Sequence, residues 1–269
     1  MSMADQDIDP EMQLHQDMND DDGQDSQNLW DCVVISDLHL GSEVCQATEL
    51  ERFLEWVVNR SRMLVINGDI FDDLNFKRLK RHHFNCLRII RRNTDRSDFQ
   101  IIWMRGNHDG PAEIISHIVG VDIHDEYIFE NDKIKLWILH GDQFDTIVTG
   151  HKGLTSFFSA LFRGIQMVAP LRWCRWIRRI SKNFQRNSPV VRQRAIAAAA
   201  KLGCEAVTCG HTHREEDCIV NSIRYINTGT WTEQTPSPYL WIKGDQMGLN
   251  HWPSEEQPEF GFNRLQDEK

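Results

Sequence analysis

Five short polar clusters carry side chains suited to holding divalent cations. They are Ser36-Asp37-Leu38-His39, Gly68-Asp69-Ile70-Phe71-Asp72, Gly106-Asn107-His108-Asp109, His140-Gly141-Asp142 and Gly210-His211-Thr212-His213. Carboxylate, imidazole and amide oxygen, with no thiolate, suit manganese, iron, cobalt or zinc. Asp37 and His39 alternate, as do His211 and His213, so on an extended segment both members of a pair leave the same face. Glycine beside the ligands lets the backbone turn sharply or approach an anion closely. Any one cluster alone is weak, because a lone Gly-Asp is usually a turn and a lone His-x-His usually surface or core. All five in order make a specific pattern.

The elements that must position these clusters are strands. Cys32–Ile35, Met63–Ile66, Phe99–Met104, Ile134–Leu139 and Cys204–Thr208 are apolar runs, and each ends at one of the clusters. Continuous apolar runs of this length read as strands buried on both faces. Loops at the strand ends of an α/β sheet converge on one edge, where ligands bind. Residues 47–60 and 79–92 read as helices, 217–220 and 223–226 as a hairpin about Asn221-Ser222, and 238–242 as a further strand.

Composition bounds the rest. The formal net charge is −10, and nine acidic residues between Asp5 and Asp25, with no Lys or Arg up to residue 28, account for nearly all of it. We expect residues 1–28 to be a disordered acidic tail, 29–250 one folded domain that carries all five clusters and includes an insert over 146–201, and 251–269 a flexible acidic C-terminal tail. Seven cysteines without a CxxC pair argue against a disulfide framework or a structural zinc site. No apolar run is long enough to span a bilayer, and the acidic start resembles neither a secretory signal nor a transit peptide, so a cytoplasmic protein is expected.

The clusters together resemble the signature of the calcineurin-like metallophosphoesterases, over about residues 31–232. The resemblance implies an α/β (α+β) fold, a four-layer αββα sandwich of two mixed β-sheets, with two divalent metal ions at the loop edge. It implies that Asp37, His39, Asp69 and His213 hold the first metal, and that Asp69, Asn107, His140 and His211 hold the second. Asp69 would bridge, since two cations about 3.5–4 Å apart need a shared anion. A metal-bridging hydroxide would be the nucleophile. His108 would sit over the phosphoryl group, stabilise charge and protonate the leaving oxygen, with Asp72 or Asp109 orienting it or a neighbouring ligand.

Residues 146–201 form an insert with no Asp or Glu and eleven Lys or Arg. Leu154 to Val168 have the spacing of an amphipathic helix, Pro170 ends it, and a second helix carries Trp173, Trp176, Ile177, Ile180 and Phe184 on one side. One reading is a helical cap packed on the core with solvated arginines. Another is a basic, aromatic cap that meets an anionic membrane surface peripherally and admits a lipid chain. Nucleic acid is a third partner such a surface could take.

His140-Gly141-Asp142-Gln143-Phe144-Asp145, the insert, and Asn227-Thr228-Gly229-Thr230-Trp231 resemble the UDP-2,3-diacylglucosamine pyrophosphohydrolase branch. That branch implies manganese, a nucleotide-linked lipid as anionic substrate, release of UMP, and a place in lipid A synthesis on the cytoplasmic face of the membrane. Two positions depart from it: His108 stands where Arg is usual, and Thr230 where Asp is common. A soluble phosphodiesterase or phosphatase acting on nucleotides or nucleic acid is the alternative. A non-catalytic scaffold on the same fold would be expected to have lost ligands, and none is missing. The basic stretch from Lys77 to His83 reads as a solvated helix face with one or two residues near enough for phosphate contacts.

Overall fold

A computed structural model describes residues 29–253 apart from 74, 110–115, 118, 146–187 and 233–235. Eleven strands and three helices among the described residues build four layers. Strand β1 (Cys32–Ile35) is followed by helix α1 (Ala47–Val57), β2 (Met63–Asn67), helix α2 (Arg81–Asn93) and β3 (Gln100–Met104). Then come β4 (Ile123–His124), β5 (Glu126–Glu130), β6 (Lys135–Leu139), helix α3 (Ser188–Lys201), β7 (Ala206–Cys209), β8 (Glu216–Val220), β9 (Ile223–Asn227), β10 (Ser237–Lys243) and β11 (Gln246–Trp252).

One sheet has the order β11-β10-β1-β2-β3-β4 and the other β5-β6-β7-β9-β8. Both are mixed. β1, β2, β3 and β4 run parallel while β10 and β11 join antiparallel. In the second sheet β6, β7 and β9 run parallel, and β5 and β8 are antiparallel edges. The strand continuity expected from β1, β2, β3, β6 and β7 therefore holds.

The two-residue period of a strand sends alternate side chains to two different cores. From β1, Val33 and Ile35 join Leu50, Phe53, Leu54 and Val57 of α1 and Cys86, Ile89 and Ile90 of α2. Cys32 and Val34 point the other way, into the seam between the sheets, with Val65, Ile102, Leu136, Ile138 and Ile226. On the far side Ala195, Ile196 and Ala199 of α3 cover Val207 and Tyr225. The layers are thus α1 and α2, sheet, sheet, α3, the four-layer αββα sandwich.

Residues 188–201, placed within the insert by sequence, form the outer helical layer over the second sheet. The expected cap helices over 154–168 and 173–186 lie outside the described residues, as do the two expected tails up to residue 28 and from 254. Strand β11 runs two residues past 250, to Trp252. Among the described residues no helix is long and apolar enough to cross a membrane.

Candidate metal centre

The carboxyl ends of β1, β2 and β3 in one sheet and β6 and β7 in the other open on the same edge, and all five clusters meet there. Asp37, His39, Asp69 and His213 offer ligand atoms that lie within 4.8 Å of one another, and so do Asp69, His140 and His211. Asn107 joins the second group, its Oδ1 3.0 Å from His211 Nδ1. Asp69 alone belongs to both.

The backbone is bent hard to achieve this. Among the described residues seven non-glycines have positive φ, and five are candidate ligands: Asp37 (55°), His39 (47°), Asp69 (51°), His211 (64°) and His213 (56°). The other two, Asn221 and Ser222, make the β8–β9 turn. A left-handed non-glycine costs about 1–3 kcal/mol, and such strain clusters where surrounding structure over-determines a site. Here cross-strand bonds do so. Asp37 N donates to Gly68 O at 3.1 Å, His39 N to Asp69 O at 2.9 Å, and Gly210 N to His140 O at 2.9 Å. A side chain at Gly106 would collide with the amide and carboxylate of Asp69, and one at Gly210 with Asp37 and Ser36.

Electrostatically the site is a pocket of carboxylates facing imidazoles. Burial opposes ionisation of Asp37, but His213 and His140 outweigh it and hold the carboxyl below its ordinary value. Asp69 is likewise held well below by His140 and His108 against its burial. Burial and the neighbouring His213 push His39 down to about 4, which keeps that imidazole neutral, the form able to donate a lone pair to a cation. His140 and His213 rise despite burial, because Asp69 faces the first and Asp37 the second. Burial and the Asp69 charge push Asp109 up to about 6.

The residues fit divalent cations. Asp37 Oδ1 and His140 Nε2 are buried with no hydrogen-bond partner. His140 Nε2 lies 3.4 Å from Asp69 Oδ2, and Asp37 Oδ1 lies 3.1 Å from His213 Nε2. Buried polar atoms left without hydrogen bonds are costly unless something else satisfies them. The two nitrogens His39 Nε2 and His213 Nε2, 3.0 Å apart, converge on the same space.

The supporting residues take definite places. Asp109 Oδ1 accepts the backbone N–H groups of Ile70 (2.8 Å) and Phe71 (3.1 Å), and its Oδ2 accepts that of Gly106 (2.9 Å). It therefore shapes the loop after Asp69 and does not touch His108 through its carboxylate. His108 N donates to Asp69 Oδ1 at 2.9 Å, and its side chain is 46% exposed, with Nε2 4.0 Å from Asp69 Oδ2. Its Nδ1 faces the backbone carbonyl of Asp72 at 3.1 Å, so the carbonyl of that residue orients the ring. The Asp72 carboxylate is turned toward His39 and Arg78.

Three supports were not assigned roles by sequence. Asn67 accepts His140 Nδ1–H at its carbonyl (2.9 Å) and donates Nδ2–H to Leu139 O (2.9 Å), which turns His140 Nε2 to the site. Asp145, buried, lies 3.2 Å from His211 Nε2 and so leaves Nδ1 to face Asn107. Thr230 donates its hydroxyl to the Asp37 carbonyl at 3.0 Å. Asn67 sits one residue before a recognised Gly-Asp, and Asp145 three after His140-Gly141-Asp142. Polar residues so near a ligand motif are the only sequence signal for such partners. His82 and His83 are engaged elsewhere, with Glu51 and the Lys80 amide.

The chain matches the calcineurin-like phosphoesterase family over residues 32–215 and belongs to it. Membership and the site together make it a metal-dependent hydrolase of phosphoester-type bonds. Among solved structures it is similar to Yfce, a phosphoesterase from E. coli, at 16% identity and TM-score 0.46, over 80% of this chain and 90% of that one. It is similar to an archaeal phosphodiesterase at 16% identity and TM-score 0.43, over 82% and 98%. It is also similar to zinc-complexed Vps29 from Entamoeba histolytica at 11% identity and TM-score 0.43, over 82% and 97%. No curated protein matches the chain.

Proposed function

We propose that the chain hydrolyses a pyrophosphate or phosphodiester bond in a nucleotide-linked lipid of the UDP-2,3-diacylglucosamine type, at two divalent cations, most simply manganese. Asp37, His39, Asp69 and His213 would hold one cation, and Asp69, Asn107, His140 and His211 the other. The observation that carries the hydrolytic half is Asp69, the one carboxylate shared by both ligand groups. Two bound cations supply charge stabilisation to a phosphoryl group and an activated water at neutral pH.

The chain's own residues do the rest. A carbonyl can only accept, so the Asp72 carbonyl fixes the His108 proton on Nδ1 and aims Nε2 over Asp69. In its charged form His108 gives the Nε2 proton to the leaving oxygen. The lipid half is supported by the acid-free, basic and aromatic-rich sequence of residues 146–201, suited to an anionic membrane surface on the cytoplasmic side. The second reading, hydrolysis of nucleotide or nucleic-acid phosphodiesters, is favoured by His108 itself. A proton donor serves a poor leaving group such as an alkoxide, whereas a pyrophosphate is content with a fixed cation.

The test is hydrolysis of UDP-2,3-diacylglucosamine with manganese and detergent, beside bis-p-nitrophenyl phosphate, with Asp69→Ala as control. Metal-dependent UMP release that the control abolishes supports the lipid reading. Cleavage of the generic diester alone overturns it in favour of the second.

A further inference from the structure

We infer that Arg78 is a positioning residue for the hydrolysis, acting through Asp72 on His108; this rests on the reading of His108 as proton donor to the leaving oxygen. Arg78 ends a single 3-10 turn, Phe76–Arg78, just before α2. Its Nη1 lies 2.7 Å from Asp72 Oδ2 and 2.5 Å from Asp73 Oδ2. The carbonyl of that same Asp72 accepts Nδ1–H of His108, and its Oδ1 stands 3.9 Å from His39 Nδ1. Asp72 thus meets the proton donor through its backbone and faces a candidate ligand through its side chain, and Arg78 is the cation that pins it.

The lever is anchored at both ends. Asp72 N donates to Leu40 O at 3.0 Å, which ties it to the loop after β1. Phe76 packs edge-on against the buried Phe71, 5.6 Å between ring centres, which ties the turn to the core. The Arg78 side chain is 27% exposed, so its ion pairs are less screened than those of a solvated arginine. Two adjacent carboxylates, Asp72 and Asp73, would repel each other without that shared cation, and the carbonyl between them would move with them. In sequence Arg78 belongs to a basic run that reads as a solvated face; the structure turns it toward the site.

The experiment is steady-state kinetics with manganese on bis-p-nitrophenyl phosphate, whose leaving group needs little protonation, and on diphenyl phosphate, whose leaving group needs more. The variants are R78Q, R78K, H108A and R78Q/H108A, with thermal unfolding and manganese stoichiometry measured on each. H108A is expected to lower kcat on diphenyl phosphate about 100-fold more than on the nitrophenyl ester. R78Q should lower it selectively by about tenfold with KM unchanged, R78K should recover part, and R78Q should add nothing in the H108A background. A second readout uses metal-free protein: the Nδ1–H signal of His108 in nitrogen-15 NMR should weaken in R78Q and persist in R78K. If H108A is selective and R78Q lowers both substrates equally, or acts undiminished in the H108A background, the role of Arg78 is overturned and that of His108 stands. If H108A shows no selectivity, the His108 reading falls and this inference with it.

Discussion

The carboxylate of Asp37 accepts the backbone N–H of His211 at 3.0 Å, across 174 residues of sequence. Asp37 follows β1 in one sheet and His211 follows β7 in the other, so this bond crosses the seam of the sandwich at the rim of the site. Its second oxygen faces His213. A single carboxylate therefore sets the spacing between a candidate ligand on one sheet and two on the other.

Asp69 should be the most sensitive position. Asp69→Ala removes an anion from both ligand groups, and kcat should fall by at least about 1,000-fold, the range expected when the charge-stabilising machinery is lost. Chelation should lower the Tm of the native protein by about 5–10 °C for each cation removed, since metal at 100 times its Kd adds about 2.7 kcal/mol per site. The same chelator should leave the Tm of Asp69→Ala unmoved. A variant still destabilised by chelation would show that metal binding does not depend on the shared carboxylate.

Gly106→Ala should act as a displacement of Asp69. The added methyl overlaps the Asp69 amide and carboxylate oxygen, so one of them must shift. A misplacement on the order of 1 Å costs roughly 100-fold in rate. Kinetics together with a melting curve separate this from general unfolding; near-native kcat would mean that the loop yields freely.

Much of this was legible in the sequence, and the reason is physical. β1, β2, β3, β6 and β7 are buried on both faces, so they are nearly unbroken apolar runs, and each ends where a cluster of candidate ligands begins. β5 reads Glu-Tyr-Ile-Phe-Glu and buries only Phe129, because it is an edge of its sheet; β4 has two residues, and β11 is mostly half-exposed. These strands bury too little to leave a pattern, whereas the edge strand β8 was legible through the Asn221-Ser222 turn that joins it to β9. Asp72 could be identified as belonging to the site, but not that its carbonyl, which every residue possesses, would be the part touching His108.

Asp145→Ala should weaken metal binding without unfolding the protein. The carboxylate orients His211 from behind, and losing such a partner typically costs about 10–100-fold in metal affinity or activity. Isothermal titration with manganese measures it directly. Unchanged affinity would leave Asp145 with a packing role alone.

Three of the cysteines should be inert in the folded state. Cys32, Cys86 and Cys209 are wholly buried, and burial pushes their thiols up, away from the reactive thiolate. Iodoacetamide at pH 8 should leave all three unmodified until denaturant is added, as peptide mass mapping would show. Rapid labelling of Cys209 would reveal an opening of the second sheet beside the ligands.

The division of the ligands between two sheets has a consequence for how the centre comes into being during synthesis. A ribosome delivers Asp37, His39 and Asp69 early, yet each ligand group closes only with a histidine from the loop after β7, His213 for one and His211 for the other. Until that loop has docked, the growing chain has only part of each candidate ligand group in place. A metal held by these groups would therefore be captured late, and its capture would report that the two halves of the sandwich have met in register.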